Sequence, residues 1–180
     1  MIPASIRRIL VKKNWTVGTA ESLTAGLISA TLASQSGSSA YLRGGIVAYT
    51  LEAKVTMLGV NREDAARCNC VSAEVTLQMA LGAKKLLGTE CVIAVTGYAE
   101  PPHPLYHAGS LPVSEWAAGN QAARGHALTH RGPFAHYVVL CGEKQSTGVI
   151  QGGMRSRNAV RRLVTNTTLK ELAMLLESHA

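Results

Sequence analysis

The chemistry in this chain starts at Ser22, inside "GTAESLTAGLISATLASQSGSSAYLRGG", residues 18–45. It follows the β-rich "WTVGTA" and opens an apolar run, Leu23, Leu27, Ile28, Ala30 and Leu32, with helical spacing up to Ala33. A hydroxyl at a strand-to-helix junction faces unpaired amides and the positive end of the helix, which suit an oxyanion or a phosphate. Helix capping by Ser22, with Thr24 as a second capping hydroxyl, explains the same residues. Glu21 reads either as an orienting carboxylate or as half of a surface ion pair.

A serine needs a base to become a nucleophile, and no G-x-S-x-G elbow is present. His103, His107, His126 and His130 fall in a proline-rich segment, His136 just beyond it, and His179 at the C-terminal end. They lack the HExxH arrangement, and Cys68, Cys70, Cys91 and Cys141 stand elsewhere, so the pattern argues against a metal site. Lys54 is the better-placed base. It follows a second strand that an α/β layout sets beside the first, and burial would lower its pKa toward a useful range. Alone, Lys54 reads equally as a solvated charge, Glu52 as surface, and Tyr49 as packing under the strand.

The elements that must position these groups alternate. Residues 3–13 form an amphipathic helix, "WTVGTA" and "GGIVAYT" strands, and "LEAKVTMLGV" a helix closing at Gly59. "VSAEVTLQMALGAKKLLG" is a helix capped by Ser72 and stopped by Lys84, Lys85 and Gly88. "ECVIAVTG" is a strand buried on both faces, "AHYVVLCG" another strand, and "SRNAVRRLVTNTTLKELAMLL" a final helix. From Tyr98 to Pro133 the periodicity is broken by Pro101, Pro102, Pro104, Pro112 and Pro133. Alternation of this kind predicts an α/β layered domain.

The length of 180 residues fits one domain, 1–180, with a core of Ala, Val, Leu and Ile, since aromatics make up only 4%. The charge of +7 favours anionic partners. Scarce stacking aromatics argue against nucleic acid. The four cysteines, without paired spacing, predict reduced thiols and a cytoplasmic setting. No apolar run has membrane-spanning length.

Together, "TAESLTAG", "SGSSAYLRGGIVAYTLEAK", "LGV", "VSAEVTLQMALGAKKL" and "CVIAVTGYAEP" resemble the CinA C-terminal domain family, whose enzymatically known members are nicotinamide-mononucleotide amidohydrolases (PncC type). The resemblance implies a three-layer α/β/α single domain and deamidation of nicotinamide mononucleotide to nicotinate mononucleotide and ammonia. It implies Ser22 as nucleophile, Lys54 as base, and Tyr49 and Thr96 as assistants in proton transfer and positioning. Glu21, Thr24, Gly45 and Gly97 fall at substrate-facing positions, and Arg157 at that of a phosphate contact. A pyridine nucleotide as small-molecule partner and a homo-oligomer are further implications, with neither metal nor cofactor required.

The chain also departs from the family pattern. Leu23 stands for a cysteine, Ala25 for a glycine, and Arg155 and Ser156 for the Gly-Asp before Arg157. Glu100 replaces a loop glycine, and an insertion at about 102–132 follows it, readable as a lid, a substrate selector, an oligomer contact or a plug. These changes keep open an altered-substrate amidase, or a noncatalytic nucleotide-binding or protein-interaction module.

Overall fold

A computed structural model describes residues 3–101 and 132–179. The inserted segment expected at about 102–132 therefore lies almost wholly outside the described residues, as do His103, His107, His126 and His130. The elements are α1 (Ala4–Lys13), β1 (Val17–Glu21), α2 (Leu27–Ala33), a 3₁₀ turn (Ser38–Ala40), β2 (Leu42–Val47), α3 (Leu51–Leu58) and α4 (Arg62–Arg67). After these come α5 (Ala73–Leu87), β3 (Cys91–Tyr98), β4 (Phe134–Cys141), β5 (Lys144–Gln151) and α6 (Arg157–Glu177).

The strands form one sheet in the order β2-β1-β3-β4-β5. β1 pairs in parallel with β2 and β3, and β4 runs antiparallel to both β3 and β5. α1, α2 and α6 cover one face, and α3, α4 and α5 the other. Two apolar clusters fill the space between. Ile6, Leu10, Ile28, Ile93, Leu169 and Leu172 lie under the first layer, and Val75, Met79, Val92, Ala94, Val138 and Leu140 under the second. The fold is thus the three-layer α/β/α arrangement expected, with a mixed sheet.

Local chemistry sets the helix ends. The Ser72 hydroxyl accepts from the Val75 amide at 3.1 Å and starts α5, which stops at Gly88 in the left-handed conformation (φ 61°). Thr50 caps α3 in the same way, accepting from the Ala53 amide at 3.2 Å, and Gly59 (φ 66°) ends it.

Three elements differ from the sequence expectation. α2 begins at Leu27 rather than Leu23, because Ala25 (φ 49°) and Gly26 (φ 89°) turn the chain left-handed after Ser22. α4 forms where no helix was expected, capped by the Asn61 side chain accepting from the Asp64 amide. β5 is an edge strand whose residues are mostly exposed. Its polar sequence carries no buried alternation, and the hairpin is signalled only by Gly142 (φ 59°) in the two-residue turn before it.

Candidate active site

Because β2, β1 and β3 are parallel, their C-terminal ends meet at one edge of the sheet, where chain connections diverge and a crevice opens. Ser22 is the first residue beyond β1. Its amide donates to the Val95 carbonyl at 3.1 Å, while the Ala48 amide donates to the Glu21 carbonyl at 2.9 Å. The serine is therefore pinned from both flanking strands.

Lys54 lies in α3 and is completely buried. Its Nζ donates to Ser22 Oγ at 3.1 Å, to the Ala48 carbonyl at 2.7 Å and to the Tyr49 carbonyl at 3.3 Å. None of these acceptors carries a charge, and no ion pair found among the described residues involves Lys54. Burial depresses its pKa below the ordinary lysine value of 10.5. The Cys70 thiol is pushed up to about 11 by burial, so it is a neutral thiol at pH 7.

These groups open onto a cavity of about 540 Å³, a size that accepts a nucleotide-scale molecule. Ser22, Lys54, Thr96 and Gly97 line it, with Tyr49 and Arg157 also in its wall. The Thr96 hydroxyl donates to the Cys70 carbonyl at 2.8 Å. Its proton is committed there, so toward a ligand it can only accept. The Tyr49 hydroxyl accepts from Arg157 Nη2 at 2.8 Å, and the tyrosine is half exposed. Gly97 serves packing as well as the cavity, since a Cβ there would fall 2.2 Å from the Phe134 carbonyl oxygen.

Three of the expected substrate-facing residues do not line the cavity. Glu21 is fully buried, and its carboxylate accepts from the Ile28 amide at 3.0 Å, the Ser29 amide at 2.8 Å and Ser29 Oγ at 2.7 Å. It caps α2 from the preceding strand, which has two consequences. The amides expected to serve an oxyanion are consumed by Glu21, and Ser22 is no helix cap. Gly45 packs against this network, because a Cβ there would lie 1.9 Å from Ser29 Oγ and 2.6 Å from Thr19 Oγ1. Thr24 is buried, with its carbonyl accepting from Arg161 Nη2 at 2.8 Å. Arg161 thereby ties α6 to the turn that follows Ser22.

Within that turn, the Leu23 and Thr24 amides make no backbone hydrogen bond among the described residues. Sequence reasoning also missed Asn69 and Cys70, which line the cavity from the α4–α5 connection. Both have positive φ, 51° and 63°, and Asn69 Nδ2 donates to the Tyr98 hydroxyl at 2.8 Å. Asn at a helix end is a recognised left-handed signal; nothing in the sequence marks Cys70.

The family model for the CinA C-terminal domain matches residues 1–124. The chain belongs to the CinA C-terminal domain family. A CinA-like protein of Fervidobacterium nodosum is 44% identical over 96 residues, covering 53% of this chain and 24% of that protein. A CinA-like protein of Rippkaea orientalis is 48% identical over 93 residues, covering 52% of this chain and 22% of the relative. The match thus spans about a quarter of the length of these curated relatives.

The crystal structure of the competence/damage inducible protein CihA from Agrobacterium tumefaciens superposes with a TM-score of 0.72 at 28% identity, covering 98% of both chains. A CinA superfamily protein from Klebsiella pneumoniae gives 0.75 at 24% identity over 97% of this chain and 94% of that one, a likeness of fold. Among the described residues, no helix of this CinA-family chain is long and apolar enough to cross a membrane.

Proposed function

We propose that this CinA-family domain is a serine–lysine amidohydrolase that deamidates nicotinamide mononucleotide to nicotinate mononucleotide and ammonia. The observation that carries the reading is the 3.1 Å contact of Lys54 Nζ with Ser22 Oγ at a cavity wall, with the lysine buried and its pKa depressed. A lysine used for packing or solubility gains nothing from this arrangement. A lysine that must be neutral to take a proton gains a great deal.

In the reaction, neutral Lys54 takes the Ser22 hydroxyl proton as Oγ attacks the carboxamide carbon. The carbonyl oxygen gains negative charge beside the Leu23 segment of the cavity wall, and the Leu23 amide, which has no backbone acceptor among the described residues, is the donor assigned to it. The Lys54 ammonium then protonates the amide nitrogen, the C–N bond breaks, and ammonia leaves an ester on Ser22. Water, deprotonated by Lys54, attacks the ester carbon. Collapse returns the proton to Ser22 Oγ and releases the carboxylate. Thr96 Oγ1 accepts from the carboxamide N–H₂ and orients it, while Tyr49 contributes its carbonyl to hold Lys54 and its phenol to the rim.

Ammonia release from nicotinamide mononucleotide tests this. Ser22→Ala and Lys54→Met are each expected to lower it by at least about 10²-fold while retaining native circular dichroism. Equal rates in the wild type and both variants overturn the reading. Ligand binding without any turnover in the wild type would favour the noncatalytic module instead.

A further inference from the structure

At the mouth of the cavity, Arg157 is the one cation of the described wall besides Lys54, and it is already engaged. Its Nη1 donates to Glu100 Oε2 at 3.2 Å and its Nη2 to the Tyr49 hydroxyl at 2.8 Å. Glu100 lies just past the end of β3 and Arg157 at the start of α6, so the contact bridges two elements 57 residues apart in sequence. Both side chains remain about half exposed, at 59% and 44%, where an ion pair holds weakly and its partners exchange freely with solvent. The charge of Glu100 is therefore not needed to hold the fold together. Its effect is on what enters: a carboxylate stands on the guanidinium that an incoming anion would use, and repels that anion once it arrives.

We propose that Glu100 is a specificity-determining residue that cancels Arg157 as an anion site, so that the cavity recognises carboxamide and ring while a phosphate on the ligand contributes little. The proposal rests on the carboxamide reading of the cavity given above and narrows its substrate class. Pyridine carboxamide nucleosides and nucleotides then enter on nearly equal terms. Neutralising Glu100 restores a guanidinium with free donors for the phosphate, which is worth about tenfold in affinity at an exposed rim.

The test is calorimetric binding of nicotinamide riboside and nicotinamide mononucleotide to Ser22→Ala protein, which blocks turnover, with and without Glu100→Gln. Ammonia release is measured in parallel with Ser22 intact. The expected result is that Glu100→Gln shifts the ratio of the two dissociation constants at least fivefold toward the nucleotide. Adding Arg157→Gln to Glu100→Gln removes the shift. Binding of both ligands with a shift below fivefold overturns the proposal and leaves the amidohydrolase reading standing. A shift as expected without ammonia release from the Ser22 proteins supports the proposal and refutes the amidohydrolase. Failure of both ligands to bind overturns the proposal together with the carboxamide reading on which it rests.

Discussion

Replacing Glu21 by Gln tests whether this carboxylate holds α2 and the turn that follows Ser22. The side chain is fully buried, with Oε1 receiving the Ser29 amide at 2.8 Å and Ser29 Oγ at 2.7 Å, and Oε2 the Ile28 amide at 3.0 Å. Thr19 Oγ1 adds a longer contact to Oε1 at 3.1 Å and lies 2.5 Å from Ser29 Oγ. A glutamine keeps its oxygen on the Ser29 side and must then turn its NH₂ toward the Ile28 N–H. One charge-assisted bond is lost, about 1.5–3 kcal/mol, and a buried donor is left unsatisfied, about 1–3 kcal/mol. The sum is about 4 kcal/mol, a large fraction of the stability of a domain. Equilibrium urea unfolding followed by circular dichroism reads it directly. The control is Glu52→Gln, since Glu52 is exposed and paired only with Arg62, and it should leave the midpoint unmoved. Glu21 does not line the cavity, so in Glu21→Gln ammonia release should lose kcat with KM little changed, as Ser22 drifts from Lys54. A loss of stability below about 1 kcal/mol refutes the reasoning, because the carboxylate would then not be holding α2.

The same geometry sets outcomes for pH and for packing. Burial lowers the Lys54 pKa, so its neutral, proton-accepting fraction grows as pH rises through that depressed value, and kcat/KM should rise with pH on a limb below 10.5 that Lys54→Met lacks. The stability sign agrees: between the lowered folded pKa and 10.5 the unfolded chain binds the extra proton, so wild-type stability climbs with pH in that window, and a flat urea midpoint there contradicts it. Gly45→Ala places a methyl 1.9 Å from Ser29 Oγ, so it should cost about 1–3 kcal/mol by overpacking. The urea midpoint of the double variant Gly45→Ala/Ser29→Ala should then fall by less than the two single losses combined, and strict additivity counts against the contact.

Local signals made much of this fold legible. Ser72 and Gly88 bound α5, and Gly59 closes α3, because a cap is a contact between residues a few positions apart and its side-chain type is written beside the helix it starts or stops. The buried strand β3 reads from its unbroken apolar run. β5 escaped because an edge strand with exposed polar residues carries no such pattern. The start of α2 is not legible locally, because its cap comes from Glu21, several residues upstream and in a strand.

The sequence by itself determined the inventory at the site: a serine after one strand, a lysine after the next, a hydroxyl and a glycine near the end of a third. Only the tertiary structure decided that Lys54 turns inward onto Ser22, that Glu21 faces α2 rather than the cavity, and that Arg157 is held by Glu100. Those choices depend on burial and on contacts between residues 32 and 57 positions apart. A residue's charge state and partner follow from what surrounds it in space, and neighbours along the chain do not specify that.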